Sequence, residues 1–371
     1  MPRTQTTPEP AAENRTGSDH GWYAPPRQGH RPDVDAMRIA ACLTVMLGHA
    51  GGVLVRRSRE DSPERIDGFW PDSAAGLVGH LAEAVNPWAV PLFFMIAGWA
   101  TFVGAPPRHS GAVRRRVVRH IVPLGFWTVA YTLAFNLFDT DAVDVKGVLL
   151  QALTQSGRPA FHLWYLYQYI PLVLVLGTLV VFMRGRRPWG LAIGCAAVSG
   201  MSALWPILDQ NTVWELGSWG WRFGIYQVVY FVIGGFLIYH ARSIRVPWPV
   251  LGIVFAASAF GVYLQQSAHH YPITNSSPLC ALLAACVILG LARIDWSPRA
   301  AALLARLASA SFGAFLVHVF VLEFFFQRWF PVEAGLPTTL GLFLVLWLTM
   351  ATIAFALSFL FGRLRLRPFL G

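Results

Sequence analysis

The chain has 371 residues, of which 55% are hydrophobic and 13% charged, against about 25% charged in a soluble domain. That balance excludes a soluble globular core and implies an all-α, polytopic membrane protein, with the abundant glycine and aromatic residues usual in that class. The net charge of +10 does not call for a nucleic-acid partner, because the basic residues fall in short clusters between apolar segments and topology explains them.

Residues 1–33 are rich in Pro, Arg, Glu and Thr, lack an apolar run and read as a disordered cytoplasmic tail. No short apolar segment with a cleavage site precedes the first span. The bundle itself is expected over 34–362, with a short basic cytoplasmic tail at 363–371. Ten apolar segments are expected near 35–55, 82–104, 120–138, 162–183, 188–207, 222–240, 247–264, 277–293, 309–328 and 338–361. Most approach the ~20 residues needed to cross a bilayer.

An even number of spans places both ends on one side. The tails and one set of loops carry 20 Lys and Arg, and the opposite set carries 8. Positive-inside reasoning then puts both termini in the cytoplasm of a multi-pass cell-membrane protein. The first outer loop, with Arg56, Arg57, Arg59 and Arg65, runs against this and is outvoted by the other four. Within 139–161, Val148, Leu149, Leu150 and Leu153 suggest a short helix on the outer surface. Trp205, Trp214, Trp219 and Trp221 read as an interfacial belt, with a stacking surface for sugar rings as the alternative. The four cysteines lie in apolar segments without Cys-x-x-Cys spacing, so neither a metal site nor a disulfide framework is expected.

The first span holds the most informative pair. Arg38 stands at its start and His49 deep inside, eleven residues on. At ~1.5 Å and ~100° per residue these share one face and are roughly 16 Å apart along the axis. Ionisable groups inside a bilayer are costly and mark function, and histidine is the side chain suited to moving a proton near neutral pH. A lone buried histidine is more often structural; Arg38, able to bind phosphate or carbonyl groups, argues for chemistry. Asp35 lies three positions before Arg38 and is expected to orient it; a simple helix-start salt bridge is the plainer alternative. Arg116 and Arg119 face similarly in the cluster ahead of the third span and suit donor phosphates, or serve topology alone. His318 sits in the ninth span at a depth like that of His49. Glu323, five residues on, points to another face and could pair with Arg222 or Arg328. His162, ahead of Leu163 and Trp164, opens the fourth span at the outer surface, where an external acceptor would arrive.

Several separated blocks resemble the acyltransferase-3 family of integral membrane acyltransferases. They are Asp35-Ala-Met-Arg38 followed by ten residues and His49; Val90-Pro-Leu-Phe-Phe-Met-Ile-Ala-Gly-Trp99; Arg116-x-x-Arg119 followed by Pro123; and Ser311-Phe-Gly-Ala-Phe-Leu-Val-His318. Phe161-His-Leu-Trp-Tyr-Leu166 is similar to a further block. Ala97 departs from the serine common in the family but stays small. The resemblance implies ten core spans and an acyl-CoA donor, such as acetyl-CoA, drawn from the cytoplasm without a permanently bound cofactor. It implies an acceptor hydroxyl on a carbohydrate, glycolipid or glycoside, with O-acetylation of a polysaccharide as one outcome. His49 with Arg38 matches the family's catalytic position, and Arg116 and Arg119 match positions for donor handling. Asp35 is grouped with the donor site; His162, Trp164, His318 and Glu323 are candidates on the acceptor side. A transporter or flippase for a polar or glycolipid substrate is the rival reading, since buried His, Arg and Glu also mark transport pathways; the absence of internal repeats counts against it.

Overall fold

Helix α1, Pro32–Asp61, begins where the sequence supplies start signals: proline at the first position, then Asp33 and Asp35 in the first turn, where carboxylates meet the positive end of the helix dipole. The computed structural model describes residues 29–61, 73–138, 144–153, 155, 160–184, 186, 188–211, 226–267, 275–323 and 334–370. Helix α2, Ala74–Val85, is capped by the Ser73 hydroxyl, which accepts from Gly76 N–H at 3.0 Å. Asn86-Pro87-Trp88 interrupts the backbone before α3, Ala89–Trp99, which runs into a π-turn at Ala100–Gly104. Then come α4, Ser110–Phe138; α5, Val145–Gln151; α6, Trp164–Phe182, entered by the 3-10 turn Phe161–Leu163; α7, Trp189–Asn211; and α8, Tyr226–His240. The chain continues through α9, Trp248–Ser267; α10, Pro278–Leu291; α11, Pro298–Val321; and α12, Leu336–Arg363. Among the described residues there is no strand, so the all-α expectation holds.

Among the described residues, seven helical stretches are long and apolar enough to cross a membrane, α2 and α3 counting as one. The other three expected segments correspond to shorter apolar helices, Trp189–Met201, Tyr226–His240 and Pro278–Leu291. Two spans take in charged stretches ahead of their apolar runs. The helix α4 takes in Arg114, Arg115, Arg116 and Arg119, and α11 takes in Arg299 and Arg306. Apolar patterning sees the membrane-soluble part of a helix, whereas backbone hydrogen bonding carries the helix on into its charged end. The short helix expected within 139–161 is α5, capped by Asp144, whose carboxylate accepts from Gly147 N–H at 3.0 Å. The tryptophans at 205, 214, 219 and 221, and both proposed partners of Glu323, Arg222 and Arg328, lie outside the described residues or their described side chains.

Burial sorts the helices. The α2–α3 stretch is 72% buried and α1 56%, whereas α9 and α12 are 22% and 28% buried. The first two are therefore the interior, and the latter pair turn side chains such as Ile253, Val345 and Leu348 outward, as a lipid-facing helix does. Glycines allow the interior helices to touch. Gly98 of α3 lies so close to the Phe231 carbonyl of α8 that a Cβ there would overlap it, and Gly234 of α8 is likewise filled by Met95.

The ends of several spans converge on one face. Asp33, fully buried, accepts two bonds from Arg31, at 2.8 and 2.5 Å, and one from Arg242 beyond α8 at 3.2 Å. The Arg31 guanidinium lies 5.8 Å from the Trp99 ring centroid. Arg293, after α10, bonds the carbonyls of Ile244 and Val246 in the α8–α9 turn. Arg242, Arg245 and Arg293 border a cleft of about 680 Å³ together with Trp248 and Asp295. These are ends that the arginine distribution assigns to a single side.

Candidate active site

Helices α1, α4, α6 and α11 build the site. On α1, His49 is half-buried, and its Nδ1 lies 2.7 Å from Nε2 of His318 on α11. The two ring planes are nearly parallel, at 11°, with centroids 5.0 Å apart. His318 Nδ1 lies 2.6 Å from the Phe315 carbonyl, one turn back on its own helix. A carbonyl only accepts, so His318 carries its proton on Nδ1. Its Nε2 is then bare and accepts from His49 Nδ1–H. The consequence for His49 is a bare Nε2, available as a base. The Phe315 carbonyl, through His318, thus sets the tautomer of a histidine on another helix. Two bonds fix the His318 ring, and through one of them it orients His49, in the way a general base is oriented by a third group.

Around this pair the packing is aromatic. Phe161 stands edge-on to His49, with centroids 4.9 Å apart. His162 is 1% exposed, 5.4 Å from the His318 ring and 5.2 Å from Tyr131. Its Nε2–H donates to the Leu316 carbonyl at 3.3 Å. Its Nδ1 is therefore a bare acceptor, buried and without a partner among the described residues. Tyr131 of α4 is fully buried; its hydroxyl donates to the same Leu316 carbonyl at 2.8 Å and accepts from Phe320 N–H at 3.0 Å.

From His49 an aromatic stripe leads to the arginines. Phe161, Tyr165 and Tyr169 are spaced four apart on one flank of α6 and the turn before it, ~12 Å from end to end. Tyr165 and Tyr169 have ring centroids 5.4 Å apart. Arg38 lies within electrostatic reach of both hydroxyls, and Arg116 and Arg119 within reach of Tyr169. Arg116 also donates to the Ala105 carbonyl. His120 Nδ1–H donates to the Arg116 carbonyl at 2.7 Å, and the His120 ring lies 4.6 Å from Tyr169. One end of the stripe thus gathers three guanidiniums around a phenol; the other ends on the base.

Several sequence expectations meet here, and others shift. Arg38, Arg116 and Arg119 share one neighbourhood, and His49 pairs with His318, a contact between residues 269 positions apart. Asp35 does not orient Arg38: its carboxylate accepts from His30 Nε2 at 2.7 Å, and among the described residues no bond joins it to Arg38. The chain entering α1 brings His30 back over the first turn, while Arg38 lies within electrostatic reach of Tyr165 and Tyr169 on α6. His162 does not stand open at an outer surface either. The 3-10 turn swings it inward beneath α11 and leaves Phe161 as the exposed member, at 42%. Trp164 is half-buried against the core. Glu323 is half-buried in a π-turn at the end of α11, within electrostatic reach of Tyr131. Sequence reasoning gave no role to Tyr131, Tyr165, Tyr169 or His120; the four-residue spacing of Phe161, Tyr165 and Tyr169 was the available signal for two of them.

A helical membrane protein whose interior holds a hydrogen-bonded imidazole pair, linked by aromatics to a cluster of arginines, is a candidate membrane enzyme for anionic substrates. Compared with known families, residues 31–363 match the acyltransferase-3 model, described as an acyltransferase domain. The match covers nearly the whole chain, which therefore belongs to that family of membrane acyltransferases. No curated protein and no solved structure matches it.

Proposed function

We propose that the protein moves an acyl group, most simply acetyl, from acyl-CoA to a hydroxyl of a sugar-containing acceptor, with His49 as general base. The observation that carries this reading is the His49–His318–Phe315 chain, which leaves Nε2 of His49 bare. In the proposed step the acceptor oxygen attacks the thioester carbonyl carbon while its proton passes to His49 Nε2. The C–S bond then breaks, and the imidazolium returns the proton to the departing thiolate. The products are ester and CoA thiol. His318 holds the ring through the step and accepts the strengthened Nδ1–H bond when His49 is charged.

Donor phosphates are proposed to rest against Arg38, Arg116 and Arg119, with the pantetheine arm running past Tyr169 and Tyr165 toward His49. Asp35, in the first turn of α1, is proposed to border that entrance. The bare Nδ1 of His162 is proposed to accept a hydrogen bond from the acceptor, with Trp164, His318 and Glu323 on the same side of the site. The arginine distribution favours a cytoplasmic donor and cytoplasmic termini.

The test is direct. Purified protein in lipid nanodiscs, given acetyl-CoA and a panel of glycoside and glycolipid acceptors, is expected to release CoA thiol and transfer labelled acetyl to one acceptor class. Movement of a glycolipid across proteoliposomes with no thiol release from any acyl-CoA would overturn the reading in favour of transport. Arg38→Ala is expected to raise KM for acyl-CoA by roughly 10- to 100-fold, the worth of one charge-assisted hydrogen bond. An unchanged KM would remove Arg38 from the donor site.

A further inference from the structure

Tyr131 has no role in the reaction as drawn above, and its sequence context does not announce one. Yet it is a fully buried phenol whose hydroxyl is committed in both directions to a neighbouring helix. It donates to the Leu316 carbonyl and accepts from Phe320 N–H. Those two groups are separated by four residues, so they are the acceptor and donor of one helical rung. His318 lies between them. The hydroxyl therefore bridges the ends of the rung that encloses the histidine.

The neighbouring rungs are loaded in the same way. The Phe315 carbonyl takes His318 Nδ1–H at 2.6 Å, and the Leu316 carbonyl takes His162 Nε2–H at 3.3 Å as well as the phenol. Two residues past Phe320 the helix widens into a π-turn at Leu322 and Glu323. Side-chain groups inserted at helical carbonyls and π-turns are identified causes of local helix deformation, and such π-turns are frequent at functional sites. The turn carrying His318 is thus shaped from outside α11, by α4 through Tyr131 and by the entry to α6 through His162.

We propose that Tyr131 is a positioning residue that fixes the α11 turn so that His318 presents Nε2 to His49 at hydrogen-bond distance. This rests on the reading of His49 as the base. The phenol touches no reacting atom; it acts through the direction of one imidazole. A shift of a few tenths of an ångström in that turn lengthens the 2.7 Å His49–His318 bond, and imidazole bonds weaken steeply with distance and angle.

The experiment is a double-mutant cycle read in kcat and KM. Tyr131→Phe keeps the ring and removes the hydroxyl. It is expected to lower kcat about tenfold, with KM for acyl-CoA within twofold of the parent. In a His318→Gln background the same change is expected to alter kcat by less than twofold, because the group it acts through is gone. A hydroxyl that merely stabilises the bundle would lower activity by equal factors in both backgrounds, and that result overturns the proposal. So does full kcat in Tyr131→Phe. A measurement on the unaltered protein guards against a variant that fails to accumulate. In ¹⁵N-histidine spectra, with His318→Gln identifying the signal, His318 must be the Nδ1-protonated tautomer; the Nε2-protonated form overturns the proposal. An active His49→Gln protein would instead sink the base assignment, whatever Tyr131 does.

Discussion

Replacing His49 with glutamine is expected to lower kcat by about 10²- to 10⁴-fold, the usual contribution of a positioned general base, while leaving the protein folded. Glutamine retains an N–H able to reach His318 Nε2, so the interior polar pair keeps a partner and no bare acceptor is stranded in the membrane interior. What disappears is the free ring nitrogen proposed to take the acceptor's proton. KM for acyl-CoA is expected to stay within about twofold, since the arginines proposed to hold the donor sit at the far end of the aromatic stripe. The measurement is steady-state thiol release by monodisperse protein, with parent and variant eluting alike on gel filtration. A kcat within threefold of the parent would reject His49 as the base. His318→Gln sharpens the result. If His318 works only by orienting His49, adding it to His49→Gln costs nothing further, because residues acting as one unit are non-additive. A double variant with independent, multiplying losses would mean that His318 performs a separate step.

How much of this could be read from the chain follows from the range of each interaction. The spans were legible because a bilayer demands long apolar runs, and a start signal such as Pro32-Asp33 is local. His49 and Arg38 were legible because a charge in an apolar run is visible in one dimension. The His49–His318 bond was not, since 269 residues separate its ends; sequence depth placed the rings at similar heights but gave no direction. Asp35 misled for a related reason: helical spacing puts it near Arg38, yet its carboxylate is taken by His30. His162 was read from the end of an apolar segment, as if exposed. A 3-10 turn, which tightens the chain just before α6, rotates it inward instead. Tyr131 carries no signal at all in one dimension, because an aromatic in a membrane helix is ordinary and only its two bonds to α11 set it apart.

The contact between α3 and α8 supplies the last expectation. Gly98 sits within the block Val90–Trp99, and α3 lies against α8 there with backbone on backbone. A Cβ on Gly98 would overlap the Phe231 carbonyl oxygen, which cannot rotate away as a side chain could. Gly98→Ala must therefore push α3 and α8 apart, and the Met95 side chain, which fills the space over Gly234, would lose its seat. Overpacking of a tight interior costs about 1–3 kcal/mol, and a clash with backbone belongs at the upper end or beyond. The effect would spread to the site, because α3 also carries Phe93 and Phe94, which pack on Tyr165 at 5.9 and 4.9 Å. The expected result is a lower thermal midpoint and a smaller monodisperse fraction for Gly98→Ala. Gly252→Ala in α9 and Gly341→Ala in α12 are the controls, since a Cβ at either meets nothing within 4 Å. Both are expected to be neutral or stabilising by up to ~1 kcal/mol, the helix-propensity difference between glycine and alanine. If all three alanines behave alike, the α3–α8 contact is not set by its glycines, and small residues there serve some purpose other than close approach.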